Sequence, residues 1–167
     1  VTILETRTLH WPNEAACAAT AAALAARPGL AEAFVTLHGT LGAGKTSFAR
    51  HLLQALGVAG RIKSPTYTVV ESHAVPASPA GRPAFEAHHF DFYRFEDPQE
   101  WEDAGLRELF AGPGLKLAEW PERVGGLLPP ADLALHLAID AGDPGARTVR
   151  LEAGSVRGRA LLPEPAA

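Results

Sequence analysis

The chain predicts an α/β fold of three layers around a mixed β-sheet, and three observations carry that reading. An apolar, β-prone run over 33–38 leads into a Gly-rich octet and then into apolar residues at helical spacing. A strand over 2–9 followed by a helix that runs to about residue 26 reads as another strand–helix unit. Two alternating pairs, 69–75 with 85–92 and 133–139 with 149–151, read as antiparallel hairpins. Strand–helix units require parallel neighbours and hairpins require antiparallel ones, so the sheet is mixed.

Taken in order, residues 2–9 alternate and predict a first strand. Asn13 is the expected N-cap of a helix that runs to about residue 26, where Pro28-Gly29 ends it. The strand over 33–38 and a helix over 47–56 flank the octet, with Gly57 as the stop. Residues 62–68 show no periodicity. The Pro- and Gly-rich stretch 76–83 predicts a flexible loop between the strands of the first hairpin. Asp97-Pro98-Gln99-Glu100 is a capping box, and the helix it opens is expected to continue to about residue 110. A short strand over 115–118 ends in Glu119. The second hairpin turns over 140–145 and is expected at the end of the sheet.

Size and composition agree with one domain spanning 1–167. The 167 residues are 47% hydrophobic and 20% charged, which suits a globular chain with a sizeable core. Net charge is −4, so there is no global field for nucleic acid, and DNA is not an expected ligand. No apolar run reaches membrane-spanning length, and no membrane partner is expected. The N-terminal alternation is unlike a signal peptide, and the expected location is cytoplasmic. Cys17, the single cysteine, has no internal disulfide partner and reads as a small core residue. One thiol and no histidine pair at ligand spacing argue against zinc.

The octet Gly39-Thr40-Leu41-Gly42-Ala43-Gly44-Lys45-Thr46 fits G-x-x-x-x-G-K-[ST], the phosphate-binding P-loop. Its glycines let backbone N–H groups approach a phosphate chain. Lys45 is placed to reach the β- and γ-phosphates, and the Thr46 hydroxyl to bind Mg²⁺. The positive end of the following helix adds attraction. These features predict a P-loop NTPase fold. Such a site needs a second acidic group at a neighbouring strand end, and Glu119 is the candidate, although Lys116 interrupts its strand. Thr66, in Ser64-Pro65-Thr66-Tyr67-Thr68, is a candidate metal contact on a segment able to cover the γ-phosphate; an ordinary Pro turn is the competing reading. In His88-His89-Phe90-Asp91-Phe92-Tyr93-Arg94, period two puts His89, Asp91 and Tyr93 on one face, and Asp91 is a candidate to orient water or to bind the metal through water. The other histidines read as structural. Asn13 is the only asparagine, so the guanine-reading N-K-x-D motif is absent, as is D-x-x-G, and adenine is the favoured base.

The ordered set GTLGAGKT (39–46), SPTYT (64–68), HFDFYR (89–94) and EWPE (119–122) resembles the TsaE family, formerly YjeE, over essentially the whole chain. The resemblance implies a small bacterial ATPase that binds ATP or ADP with Mg²⁺. It implies a requirement for threonylcarbamoyladenosine formation in tRNA, with TsaD and TsaB homologues as partners and tRNA met indirectly through their complex. TsaD is the implied transferase. By residue, Gly42, Ala43, Gly44, Lys45, Thr46 and Ser47 would hold phosphates, with Gly39 and Leu41 in the same loop. Thr46 and Glu119 would hold Mg²⁺, with Thr66 on the mobile segment. Asp91 is the family's other functional carboxylate, and Trp120 adjoins the site. Glu14 and, more loosely, Gly145 match positions near the adenine. Two departures stand out: Thr40 stands where an acidic residue is usual, and the loop over 75–84 is longer.

Two rival readings remain open at this level. A small-molecule kinase would carry an Arg-rich lid, whereas Arg82 and Arg94 are isolated. A nucleotide-sensing adaptor without catalysis would not need Lys45, Thr46, Asp91 and Glu119 together.

Overall fold

A computed structural model describes residues 2–103 and 105–165. Seven strands form one mixed sheet: β1 (Glu5–Trp11), β2 (Phe34–His38), β3 (Val70–Val75), β4 (Phe85–Asp91), β5 (Leu115–Glu119), β6 (Leu133–Ile139) and β7 (Arg147–Ala153). Their spatial order is β1-β7-β6-β2-β5-β4-β3. The four central strands, β6, β2, β5 and β4, are parallel neighbours. Antiparallel hairpins lie on both sides, β3 with β4 and β6 with β7. The second hairpin is not the sheet edge as expected, because β1 pairs along all of β7 and covers it. β1 also begins at Glu5 rather than at residue 2.

The strand period separates two cores. Val35, Leu37, Ala87, Leu115 and Leu117 face α1 (Glu14–Ala25) and α2 (Lys45–Ala55). Alanines on α1 let it pack closely on α2, and Trp11 stacks on Phe48 at 5.7 Å between ring centroids. Phe34, Phe90 and Ala118 face the opposite way, toward α3 (Gln99–Asp103), α4 (Leu106–Ala111) and the 3₁₀ segment Pro121–Leu127. Three layers result. Asn13 caps α1 by accepting from the Ala16 N–H at 3.1 Å.

The helix expected over 98–110 is two helices; Ala104, within that range, lies outside the described residues. Its start is as read, with Asp97 accepting from Gln99 N and Glu100 accepting from Asp97 N. The break comes at Gly105, in the left-handed region with φ 68°. Trp101 and Leu106 are both buried in the second core. Five residues apart on one continuous helix they would point about 140° apart, so the turn is what buries both. The sheet is followed by α5 (Val156–Leu161), which lies beyond the expected elements. Ser155 caps it by accepting from Gly158 N at 3.0 Å.

The loop expected to be flexible is pinned. Arg82 Nη2 donates to Leu56 O at 3.2 Å and Pro76 O at 3.0 Å, and Ser78 and Arg82 exchange bonds across the turn. This loop joins β3 to the start of β4, at the opposite end of the parallel strands from the octet. Among the described residues no helix is long and apolar enough to cross a membrane.

Candidate nucleotide site

Parallel pairing brings three strand ends to one level. Leu37 of β2 and Asp91 of β4 each pair in register with Glu119 of β5. The octet leaves β2 one residue later, so the carboxyl edge of the sheet carries the loop, Asp91 and Glu119 together. Close packing fixes Gly39 there: a Cβ would lie 2.7 Å from Leu137 O of neighbouring β6. α2 begins at Lys45, two residues earlier than the spacing implied, so Lys45 and Thr46 occupy its first turn.

Lys45 is buried, and its Nζ donates to Gly39 O at 2.6 Å and Thr40 O at 2.9 Å. Nζ also lies 4.2 Å from the centroid of the Trp120 ring. Burial holds the Lys45 ammonium below the usual lysine range, against the opposing pull of Glu119, Glu122 and Asp91. An anionic ligand here would add to that pull and hold the ammonium in its charged form.

Thr46 Oγ1 donates to Glu119 Oε1 at 2.7 Å, and the other carboxylate oxygen meets His89 Nε2 at 2.6 Å. His89 and Glu119 are both almost fully enclosed. Asp91 Oδ2 accepts from the Thr66 hydroxyl at 3.2 Å, and Oδ1 accepts from Tyr93 N at 2.9 Å. Burial pushes the Asp91 carboxyl above the usual carboxylate range, an effect only partly offset by these two bonds. Thr66 in turn shares a bond with Ser64 at 2.8 Å. Leu41, Gly42, Gly44, Lys45, Thr46, Ser47, Thr66, Asp91, Glu119 and Trp120 all line one cavity of about 320 Å³.

A second cavity of about 260 Å³ shares Gly44 and Ser47 with the first. Glu14 and Gly145 both line it, with Trp11, Asn13 and Arg147. Residues 131 apart in sequence therefore meet beside the loop. Ala43 is fully enclosed and lines this second cavity rather than the first.

The donor set suits a hard divalent cation. A hydroxyl and a carboxylate oxygen, Thr46 Oγ1 and Glu119 Oε1, already converge, with Asp91 and Thr66 on the same cavity. Among the described residues no three His, Cys, Asp or Glu side chains gather into a metal cage. Oxygen donors of this kind fit Mg²⁺, which uses few protein ligands and completes its shell with water and phosphate. His38 and His136, read as structural, stack at 4.5 Å between centroids, and burial holds His38 below the usual histidine range.

A Gly-rich loop between a central parallel strand and a helix, facing carboxylates on the next two strands, is the arrangement of the P-loop NTPase fold. The crystal structure of Bacillus subtilis YdiB has the same architecture: TM-score 0.72 and 24% identity, covering 96% of this chain and 94% of that one. Residues 11–149 match the family model described as threonylcarbamoyl adenosine biosynthesis protein TsaE. A Haemophilus influenzae tRNA threonylcarbamoyladenosine biosynthesis protein TsaE is 41% identical over 128 residues, covering 77% of this chain and 75% of the relative. Its Bacillus subtilis counterpart is 36% identical over 140 residues, covering 84% and 80%. The chain belongs to the TsaE family.

Proposed function

We propose that this chain is a Mg²⁺-dependent ATPase that serves threonylcarbamoyladenosine formation in tRNA by driving or resetting a TsaD–TsaB complex. The carrying observation is the convergence of Lys45, Thr46, Thr66, Asp91 and Glu119 on a single cavity. In this reading the N–H groups of residues 42–47 and the Lys45 ammonium hold the phosphates. Thr46 and Glu119 would hold Mg²⁺, with Thr66 adding a contact from the covering segment; the ion supplies charge neutralisation for the leaving phosphate. Asp91 orients the attacking water, and its bonds to Tyr93 N and Thr66 fix the carboxylate's direction. The base lies in the second cavity, between Glu14 and Gly145.

Catalysis of this kind depends on pre-organisation. Thr66 sits on a segment without regular structure, and Tyr67 beside it is 82% exposed. A partner that orders this segment raises turnover without adding chemistry. Steady-state phosphate release, measured for the isolated chain and then with a TsaD–TsaB pair from the same source, tests the proposal. The expected result is slow release alone and a marked increase with the pair. Rapid release unaffected by the pair contradicts it, and phosphate appearing on an added small acceptor favours a kinase.

A further inference from the structure

We propose that Arg147 is a positioning residue that gives the phosphate-binding loop its shape before nucleotide arrives; this rests on the nucleotide-binding reading above. Arg147 opens β7, just beyond the turn over 140–146. All its observed bonds run to backbone carbonyls. Nη1 donates to Pro144 O at 2.7 Å and Ala146 O at 2.9 Å, which fixes the guanidinium to its own turn. Nε then donates to Ala43 O at 2.7 Å, and Nη2 reaches Gly42 O at 3.3 Å. One rigid planar fork thus brackets two consecutive peptides of the loop, a geometry that the single ammonium of lysine cannot reproduce.

The direction of those carbonyls matters. In a trans peptide the C=O and the following N–H point opposite ways. Arg147 lines the second cavity and not the first. Drawing Ala43 O toward Arg147 therefore turns the Gly44 N–H away from it, toward the cavity lined by Lys45, Thr46 and Glu119. Drawing Gly42 O the same way leaves the Ala43 N–H to close the inner turn on Thr40 O at 3.0 Å. The loop's glycines permit this shape, with φ 81° at Gly42 and 107° at Gly44, but permissive residues do not select it. Arg147 does. Arg147 also adds positive charge to a cavity that shares Gly44 and Ser47 with the one lined by Lys45.

Calorimetric titration with MgADP tests this on the wild type, Arg147→Lys and Arg147→Ala, each checked by a circular dichroism melt. Both variants are expected to bind at least about tenfold more weakly. Millimolar guanidinium ion is expected to restore part of the affinity of Arg147→Ala, because it can refill the bracket; a purely structural side chain would shift the melt and show no such rescue. Binding by folded Arg147→Lys within twofold of wild type overturns the proposal, since charge alone would then suffice. Arg147→Lys also carries the test should Arg147→Ala fail to fold. Absence of MgADP binding by the wild type itself overturns the nucleotide reading underneath, and the two failures are thereby told apart.

Discussion

At the scale of single residues, Asp91 carries a testable conflict between stability and chemistry. Burial raises its pKa in the folded chain above the value in the unfolded one. Between those two values the folded state binds more protons, so stability falls as pH rises through the window. At neutral pH the carboxylate therefore costs stability. Asp91→Asn keeps an acceptor for Tyr93 N and a partner for the Thr66 hydroxyl, and it is expected to melt about 1–4 °C above wild type at pH 7. The advantage shrinks once pH drops below the ordinary carboxylate range, where wild type is protonated in both states. Activity is expected to fall at least about tenfold. A variant melting below wild type at pH 7, or one that hydrolyses normally, rejects this account. Glu119→Gln makes the companion case: Thr46 and His89 still find polar partners, so ADP binding persists while turnover drops about a hundredfold. Turnover within twofold of wild type removes Glu119 from the chemistry. Lys45, Thr46, Asp91 and Glu119, which the fold brings to one cavity, are legible as candidates because chemistry narrows what can stand at a loop or strand end. Arg147 is not, because a guanidinium bracketing carbonyls 104 and 105 residues away leaves no local pattern.

At the scale of elements, sequence reading succeeded where periodicity and punctuation agreed. β2, the octet and α2 follow one another as spacing requires, and Asn13 caps α1 as read. It failed where tertiary packing overrode local signals. The capping box at Asp97 opened a helix correctly, yet nothing local said that Trp101 and Leu106 must both reach the second core. α5, six residues long, has no apolar repeat long enough to register; its Gly158 is read only from the fold, since a Cβ there would collide with Asp132 O. Gly105 isolates the backbone part of this argument. Its surroundings are open, so Gly105→Ala meets no neighbour and suffers only from the left-handed backbone. The expected destabilisation of about 1 kcal/mol lowers the melting temperature by roughly 2–4 °C. Gly126, equally open but outside that region, serves as the control, and Gly126→Ala should melt with wild type. Equal melts for the two variants would show that the break between α3 and α4 does not depend on Gly105.

At the scale of the whole molecule, the two adjoining cavities of the candidate site draw their lining from most of the chain: Glu14, the octet, Thr66, Asp91, Glu119 and Gly145. A nucleotide in both cavities would join α1, the central strands and the second hairpin, and ligand that binds only the folded state stabilises it by mass action. At a hundred times its dissociation constant the gain is about 2.7 kcal/mol, or roughly 5–10 °C for a chain of this length. MgADP is therefore expected to raise the melting temperature by that amount, with a smaller shift when EDTA removes the metal. Lys45→Ala separates fold from function in the same experiment. Without ligand it loses the two bonds to Gly39 O and Thr40 O and the contact with the Trp120 ring, and should melt within about 5 °C of wild type. With MgADP it should show no shift, because Lys45 is the one cationic side chain that lines the first cavity among the described residues. A full shift in the variant would mean that the stabilising ligand binds elsewhere, and the octet would lose its assignment as the nucleotide site.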